Sequence, residues 1–306
     1  MNYDSPKEVS RLLENEGLSM KKRFGQNFLV SAGARAKLLD VAAPTSSEYA
    51  WEIGPGIGTM TTLLVRRVRR LVAFEIDHGF VRLLTSLFAE EIAGNPNTAR
   101  TGEGALEIVP GDFLKTWRTI AERDGAPDLL FGNLPYRTAA TMIGTLIEEG
   151  VRVKRIVATV QREVAQRMVA TPGSPEYSGF SLLCQSGFLV RTRGDLAPAS
   201  FFPAPEVTST IVELRFKGLP DVGEPGLYFT LIRDLFAARR KTVRNNLLSG
   251  AVCRTVGREG LLAALDASGI DPGRRGETLS VAETARLSVL LAHAAGGNTP
   301  TVSEAP

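Results

Sequence analysis

Short apolar runs alternate along this chain with stretches whose apolar positions recur at helical spacing, the pattern of βα units around a mostly parallel sheet. The runs predict strands at 50–53, 71–76, 107–109, 129–132 and 156–160, with helices over 59–68, 80–88, 139–149 and 163–170. Two later runs, 188–193 and 210–216, are joined by a loop carrying Pro198, Pro203 and Pro205. That connection suits no crossover helix, so one of the two strands is expected to run antiparallel. Ahead of the first strand, Ser5-Pro6-Lys7-Glu8 has the form of a capping box with proline at the first helical position. It predicts a helix over 6–16 that stops at Gly17, then a basic loop at 21–29 and a helix to about 42.

The pattern changes at 217–226, where three glycines and two prolines mark a linker. Beyond it the periodicity is helical throughout, at 228–240, 242–248, 258–267 and 280–294, the last opened by a second capping box at Ser280-Val281-Ala282-Glu283. The expected organisation is therefore an α/β domain with an N-terminal arm at 1–217, a helical domain at 218–295, and a small polar tail at 296–306 expected to be disordered. Of the 306 residues, 43% are hydrophobic and 23% charged, as in ordinary soluble enzymes. No apolar run reaches the roughly eighteen residues of a membrane span, and Asp4 and Glu8 interrupt any leader-like segment. Cys184 and Cys253 stand far apart and there are only two histidines, so reduced thiols, a cytoplasmic location and no metal site are expected. The net charge of +3 permits nucleic-acid binding without demonstrating it.

Candidate chemistry gathers at the strand ends. Gly54, Gly56 and Gly58 follow the first strand in a G-x-G-x-G loop, where backbone can approach a cofactor closely; a bare tight turn would look similar. Thr59 stands where a dinucleotide site wants its third glycine, and no hydride-transfer arrangement accompanies the loop. Glu75 ends the second strand, placed to accept from both hydroxyls of an adenosine ribose, with Asp77 as the competing candidate. Asp112 ends the third strand, where it could accept from an adenine amino group or simply form a turn. Asn133-Leu134-Pro135-Tyr136 ends the fourth. An amide oxygen from Asn133 and a carbonyl of Leu134 or Pro135 form a pair of acceptors for an amino nitrogen whose lone pair is delocalised into a ring, as in adenine. Tyr136 offers a face for stacking a base. Arg239, Arg240, Lys241 and Arg244 are expected on one helix face beside an apolar stripe of Leu235, Phe236, Val243 and Leu247, and Lys21, Lys22 and Arg23 beside the arm. Arg66, Arg67, Arg69 and Arg70 read as the positive end of the helix after the glycine loop.

These segments resemble the ribosomal RNA adenine N6,N6-dimethyltransferase family, in its bacterial small-subunit branch. The resemblance rests on Lys22-Arg23-Phe24-Gly25-Gln26-Asn27-Phe28-Leu29, Glu52-Ile53-Gly54-Pro55-Gly56, Asn133-Leu134-Pro135-Tyr136, Gln161-Arg162-Glu163-Val164-Ala165, Phe202-Pro203-Ala204-Pro205-Glu206-Val207 and Arg239-Arg240-Lys241-Thr242-Val243-Arg244-Asn245-Asn246-Leu247, in family order. It implies a class I S-adenosylmethionine methyltransferase fold, Rossmann-like and seven-stranded, with a small all-helical C-terminal domain. It implies S-adenosyl-L-methionine held by Asn27, Leu29, Gly54, Glu75, Asp112 and Asn133, and RNA contacts from the basic segments. The implied reaction is N6,N6-dimethylation of two adjacent adenosines in the 3′-terminal hairpin of 16S rRNA, on small-subunit precursor particles, by a monomer. A large-subunit adenine methyltransferase of the macrolide-resistance type and a non-catalytic rRNA-binding assembly factor are the rival readings; Asn133 with Tyr136 weighs against the second.

Overall fold

The computed structural model describes residues 2–18, 26–92 and 105–296. By its contacts the chain forms two compact units, one of Met1–Thr145, Val151–Ala165 and Val190–Phe216, the other of Leu146–Gly150, Gln166–Leu189 and Lys217–Pro306.

The first unit opens with α1 (Pro6–Asn15), capped as expected by the Ser5 hydroxyl, which accepts from the Glu8 N–H. Then come β1 (Phe28–Leu29), α2 (Ala32–Ala42), β2 (Tyr49–Ile53), α3 (Thr61–Leu64), β3 (Arg70–Glu75), α4 (His78–Leu87), α5 (Ala89–Ile92), β4 (Ala105–Pro110), α6 (Phe113–Asp124), β5 (Leu129–Asn133), α7 (Ala139–Glu148) and β6 (Arg155–Gln161). After α8 (Arg162–Val169) and α9 (Gly179–Gly187) the chain adds β7 (Phe188–Leu196), β8 (Phe201–Phe202) and β9 (Ser209–Phe216). Seven strands form one sheet in the order β4-β3-β2-β5-β6-β9-β7. The first five run parallel and β9 lies antiparallel to β6, as the short proline-bearing connection required. β1 and β8 form a separate two-stranded pair, Phe28 opposite Phe202.

The central strands are buried along their length, as a parallel sheet covered on both faces must be. One set of side chains, with Ala50, Leu71, Phe131 and Val157, packs with Leu38, Leu64 and Leu84 of the helices. Trp51 and Phe74 belong to alternate positions and stack edge-on with each other at 5.2 Å and with Phe113 of α6 at 6.2 and 5.1 Å.

Two local expectations are corrected. The helix predicted over 59–68 shrinks to α3, because turns at 56–60 and 65–69 flank it; Arg70 opens β3 instead and pairs with Glu107 and Asp124 at 2.7 and 3.0 Å. α6 and α9 were not expected. By contacts, the second unit takes in α9 and the end of α8 beside 217–306.

That second unit holds α10 (Pro225–Leu235), α11 (Val243–Ser249), α12 (Ala251–Ala267, interrupted at Gly257) and α13 (Val281–Ala295) around Leu231, Leu247, Leu261 and Leu287. The Ser280 capping box is formed, with Glu283 accepting from the Ser280 N–H at 2.8 Å. Among the described residues no helix is long and apolar enough to cross a membrane.

Candidate active site

The strand order reverses between β2 and β5, and connections leaving in opposite directions open a crevice at the carboxyl ends of those strands. A cavity of about 620 Å³ lies there. The loop after β2 contributes Gly54, Pro55 and Gly56, the end of β3 Glu75 and Ile76, and the start of α6 Asp112 and Phe113. The end of β5 adds Asn133, Pro135 and Tyr136, and the N-terminal arm adds Asn27 and Leu29.

Gly54, Gly56 and Gly58 all have positive φ, between 59° and 81°. Side-chain-bearing residues avoid that region, so glycine is demanded by backbone shape. At Gly56 a Cβ would also stand 2.8 Å from the Phe28 ring, which shuts the loop against the arm. Gly58 does not line the cavity; it abuts Phe88 and Leu84, and its lack of a side chain serves helix packing.

Glu75 is buried, with Oε2 accepting from the Gly56 N–H at 3.0 Å and Oε1 from the Asp77 N–H at 2.8 Å. Burial pushes its carboxyl up to about 7 despite those bonds. Asp77 is the N-cap of α4, accepting from the Gly79 N–H at 2.8 Å, and lies outside the cavity lining. Of these two acids, Glu75 lines the cavity and Asp77 does not. A further carboxylate, Glu52 of β2, lines the same cavity. It accepts from the Thr61 hydroxyl at 2.7 Å, and burial, reinforced by the charge of Glu75, pushes it up to about 8. Asp112 reaches the cavity while capping α6 through the Leu114 N–H at 3.0 Å.

Asn133 stands beside Thr159 in the parallel β5–β6 register. Its Nδ2 donates to the Asn27 carbonyl at 2.5 Å, and the Thr159 hydroxyl donates to its Oδ1. The Pro135 carbonyl is committed to the first turn of α7, accepting from Thr138 and Ala139 N–H groups at 3.0 and 2.9 Å. Leu134, whose carbonyl is the other candidate, is buried and is not among the residues lining the cavity. The Tyr136 ring lines the cavity while its hydroxyl sits 2.6 Å from Ser209 Oγ.

Lys21, Lys22 and Arg23 lie outside the described residues. Arg239, Arg240 and Lys241 do not share a helix with Arg244: α10 ends at Leu235, the three occupy the following turn, and Thr242 caps α11 by accepting from the Asn245 N–H. The buried Asn246 amide holds that turn, donating to the Leu235 and Ala238 carbonyls at 3.0 and 3.1 Å. All four basic side chains are exposed, and Arg239 pairs with Glu277 at 3.4 Å.

The model of the family described as ribosomal RNA adenine dimethylase matches residues 17–293. The chain belongs to that family. A curated relative from Treponema pallidum, ribosomal RNA small subunit methyltransferase A, is 40% identical over 94% of this chain and 96% of its own. A Geobacillus kaustophilus relative of the same name is 36% identical over 94% of this chain and 96% of its own. The fold is also that of a solved dimethyladenosine transferase from Plasmodium falciparum, with a TM-score of 0.67 at 23% identity, covering 85% of this chain and 95% of the other.

Several cavity residues carried no assigned role in the sequence: Glu52, Ile76, Arg137 and Gln161, with Thr159 just behind. Ile76 ends an apolar run yet is 39% exposed, a side chain left bare at a strand's carboxyl end. An acid inside the apolar run of β2 was the available signal for Glu52. Nothing in the apolar pattern of β6 separates Thr159 from a packing threonine.

Proposed function

We propose that this protein transfers methyl groups from S-adenosylmethionine to the exocyclic nitrogen of two adjacent adenosines in the 3′-terminal hairpin of 16S rRNA, acting as a cytoplasmic monomer on small-subunit precursor particles. The observation that carries the reading is the Asn133-Leu134-Pro135-Tyr136 segment, of which Asn133, Pro135 and Tyr136 line a cavity whose other walls include the glycine loop, Glu75 and Asp112. The curated relatives bear a small-subunit name, which favours this reading over the large-subunit alternative and over an assembly factor without activity.

The cavity suits the cofactor. Two buried carboxyls lie in it within a chain of net positive charge, and their burial cost is relieved by a cationic guest. S-adenosylmethionine supplies an electrophilic methyl group on a sulfonium. The Glu75 carboxylate has about four acceptor sites, and beyond the backbone N–H groups of Gly56, Asp77 and Ile76 it retains capacity for a ribose hydroxyl. Asp112 is placed for the adenine amino group, and Asn27, Leu29, Gly54 and Gly56 close round the remainder.

At the target base, Asn133 Oδ1 and the Leu134 carbonyl accept the two amino hydrogens. Holding both draws the nitrogen lone pair out of conjugation and aims it. Tyr136 stacks the base, worth about 1–3 kcal/mol. No side chain need act as base before attack, since the methylated amino cation is strongly acidic. The helical unit, with Arg240, Lys241 and Arg244 exposed, grips RNA phosphates. Asn133→Ala is expected to lower turnover on undermethylated small subunits by at least ~10²-fold, the scale of lost reactant alignment, with cofactor and RNA affinities nearly unchanged. Equal losses in RNA affinity and rate would sink the assignment of Asn133 to the amino group.

A further inference from the structure

Thr159 is fully buried on β6 and does not line the cavity, yet it makes two bonds to the segment that does. Its carbonyl accepts from the Leu134 N–H at 3.2 Å, and its hydroxyl donates to Asn133 Oδ1. On the other side of the amide, Nδ2 donates to the Asn27 carbonyl at 2.5 Å. A carbonyl can only accept, so it permits one orientation of the Asn133 amide: nitrogen toward the arm, oxygen toward Thr159. The alternative flip would set Oδ1 against the Asn27 carbonyl oxygen, acceptor facing acceptor. A carbonyl oxygen has two lone pairs, and the Thr159 hydroxyl takes one of them.

We propose that Thr159 is a positioning residue for methyl transfer, its hydroxyl and the Asn27 carbonyl together locking the Asn133 amide so that the second lone pair of Oδ1 stays available to the substrate amino group. The proposal rests on the reading of Asn133 given above. A side-chain amide pinned at one end can still rotate about its last torsion, whereas one pinned at both ends cannot. Loss of the hydroxyl therefore leaves the acceptor present and misaligned, and misalignment is felt in the chemical step rather than in either binding event. Thr159 meets neither substrate nor cofactor, so it acts only through Asn133.

The test compares Thr159→Ser, Thr159→Ala and Thr159→Val in the full-length protein, measuring kcat, KM for undermethylated small subunits, cofactor affinity and melting temperature. Serine and alanine both lose the γ-methyl and differ only in the hydroxyl; valine keeps the shape without it. Serine should stay within ~3-fold of wild-type kcat, while alanine and valine fall ~10- to 100-fold with KM and cofactor affinity within ~2-fold. Equal kcat for serine and alanine, or wild-type kcat in valine, would overturn the proposal. If valine does not fold, the serine–alanine pair decides alone. Asn133→Ala assayed alongside separates the two levels: if it keeps turnover, the reading of Asn133 fails; if it is inactive while serine and alanine match, only the role of Thr159 fails.

Discussion

The two units use their polar residues in opposite ways. In the sheet unit the polar residues of the site are buried or half-buried and held by partners: Glu75 by Gly56 and Asp77, Glu52 by Thr61, Asn133 by Asn27 and Thr159, Tyr136 by Ser209. In the helical unit the basic residues stand exposed on a turn, while a buried amide, Asn246, holds the backbone beneath them. Buried, mutually bonded groups have fixed directions, which is what a reaction requires. Exposed cations on a braced backbone have reach and charge with little directional demand, which is what binding to phosphates requires. Substitutions in the first unit should therefore alter rate or cofactor affinity, and those in the second should alter RNA affinity and its salt dependence.

The contrast can be broken at several strengths. Glu75→Ala should weaken S-adenosylmethionine binding by roughly 10- to 100-fold, as loss of hydrogen bonds to a charged group implies, with RNA affinity unchanged. Asp77→Ala should leave cofactor affinity nearly intact and cost about 1 kcal/mol of stability through the lost cap of α4. Calorimetric titration checks both, and a larger affinity loss from Asp77→Ala would reverse their roles. Replacing Arg240, Lys241 and Arg244 together by glutamine should weaken RNA binding by roughly tenfold near physiological salt. It should also flatten the log–log salt slope by about 0.7–0.9 for each phosphate left without its cation. Turnover at saturating RNA should persist; a collapse of turnover would place those residues in the chemistry.

The smallest effect concerns pH. The Glu52 carboxyl is raised from an ordinary 4.5 to about 8. Below pH 4.5 it is protonated in both folded and unfolded chains and contributes no difference. Between about 4.5 and 8 the unfolded chain ionises first, so this group erodes stability as pH rises, and the loss levels off above its folded value. Glu52→Gln cannot ionise and keeps an oxygen for Thr61. Its melting temperature relative to wild type should climb between pH 5 and pH 8 by a few degrees, the shift expected of a kcal/mol-scale change in a chain of this size. A gap independent of pH would show that Glu52 is charged in the folded protein.

The sheet was legible from the chain because its strands are nearly unbroken apolar runs, and the antiparallel strand because prolines leave no room for a crossover helix. α6 was not legible although Phe113, Trp117 and Ile120 have helical spacing and are buried, because Asp112 has the chemistry of a ligand and of a cap alike, and here it serves as the cap. α9 (GFSLLCQSG) sets two leucines and a glutamine among glycines, serines and a cysteine of weak helical preference, and it is held by burial. The basic turn reads as one helix because the apolar stripe continues in phase across it, while Asn246, which ends that continuity, looks like any polar helix residue. At the site, residues whose own chemistry announces them were legible. Those that work by holding others, Thr159 and Ser209, were not, since a hydroxyl in a strand gives no sign of its partner until the neighbouring strand is placed.

The central claim is methyl transfer to adenine in small-subunit rRNA by the cavity of the sheet unit. Its most direct test is incubation of the protein with labelled S-adenosylmethionine and either small or large ribosomal subunits lacking adenine dimethylation, followed by identification of the labelled nucleoside. Label recovered as N6,N6-dimethyladenosine in the small subunit is the expected result. Label confined to the large subunit, or none in either despite cofactor binding, would contradict it.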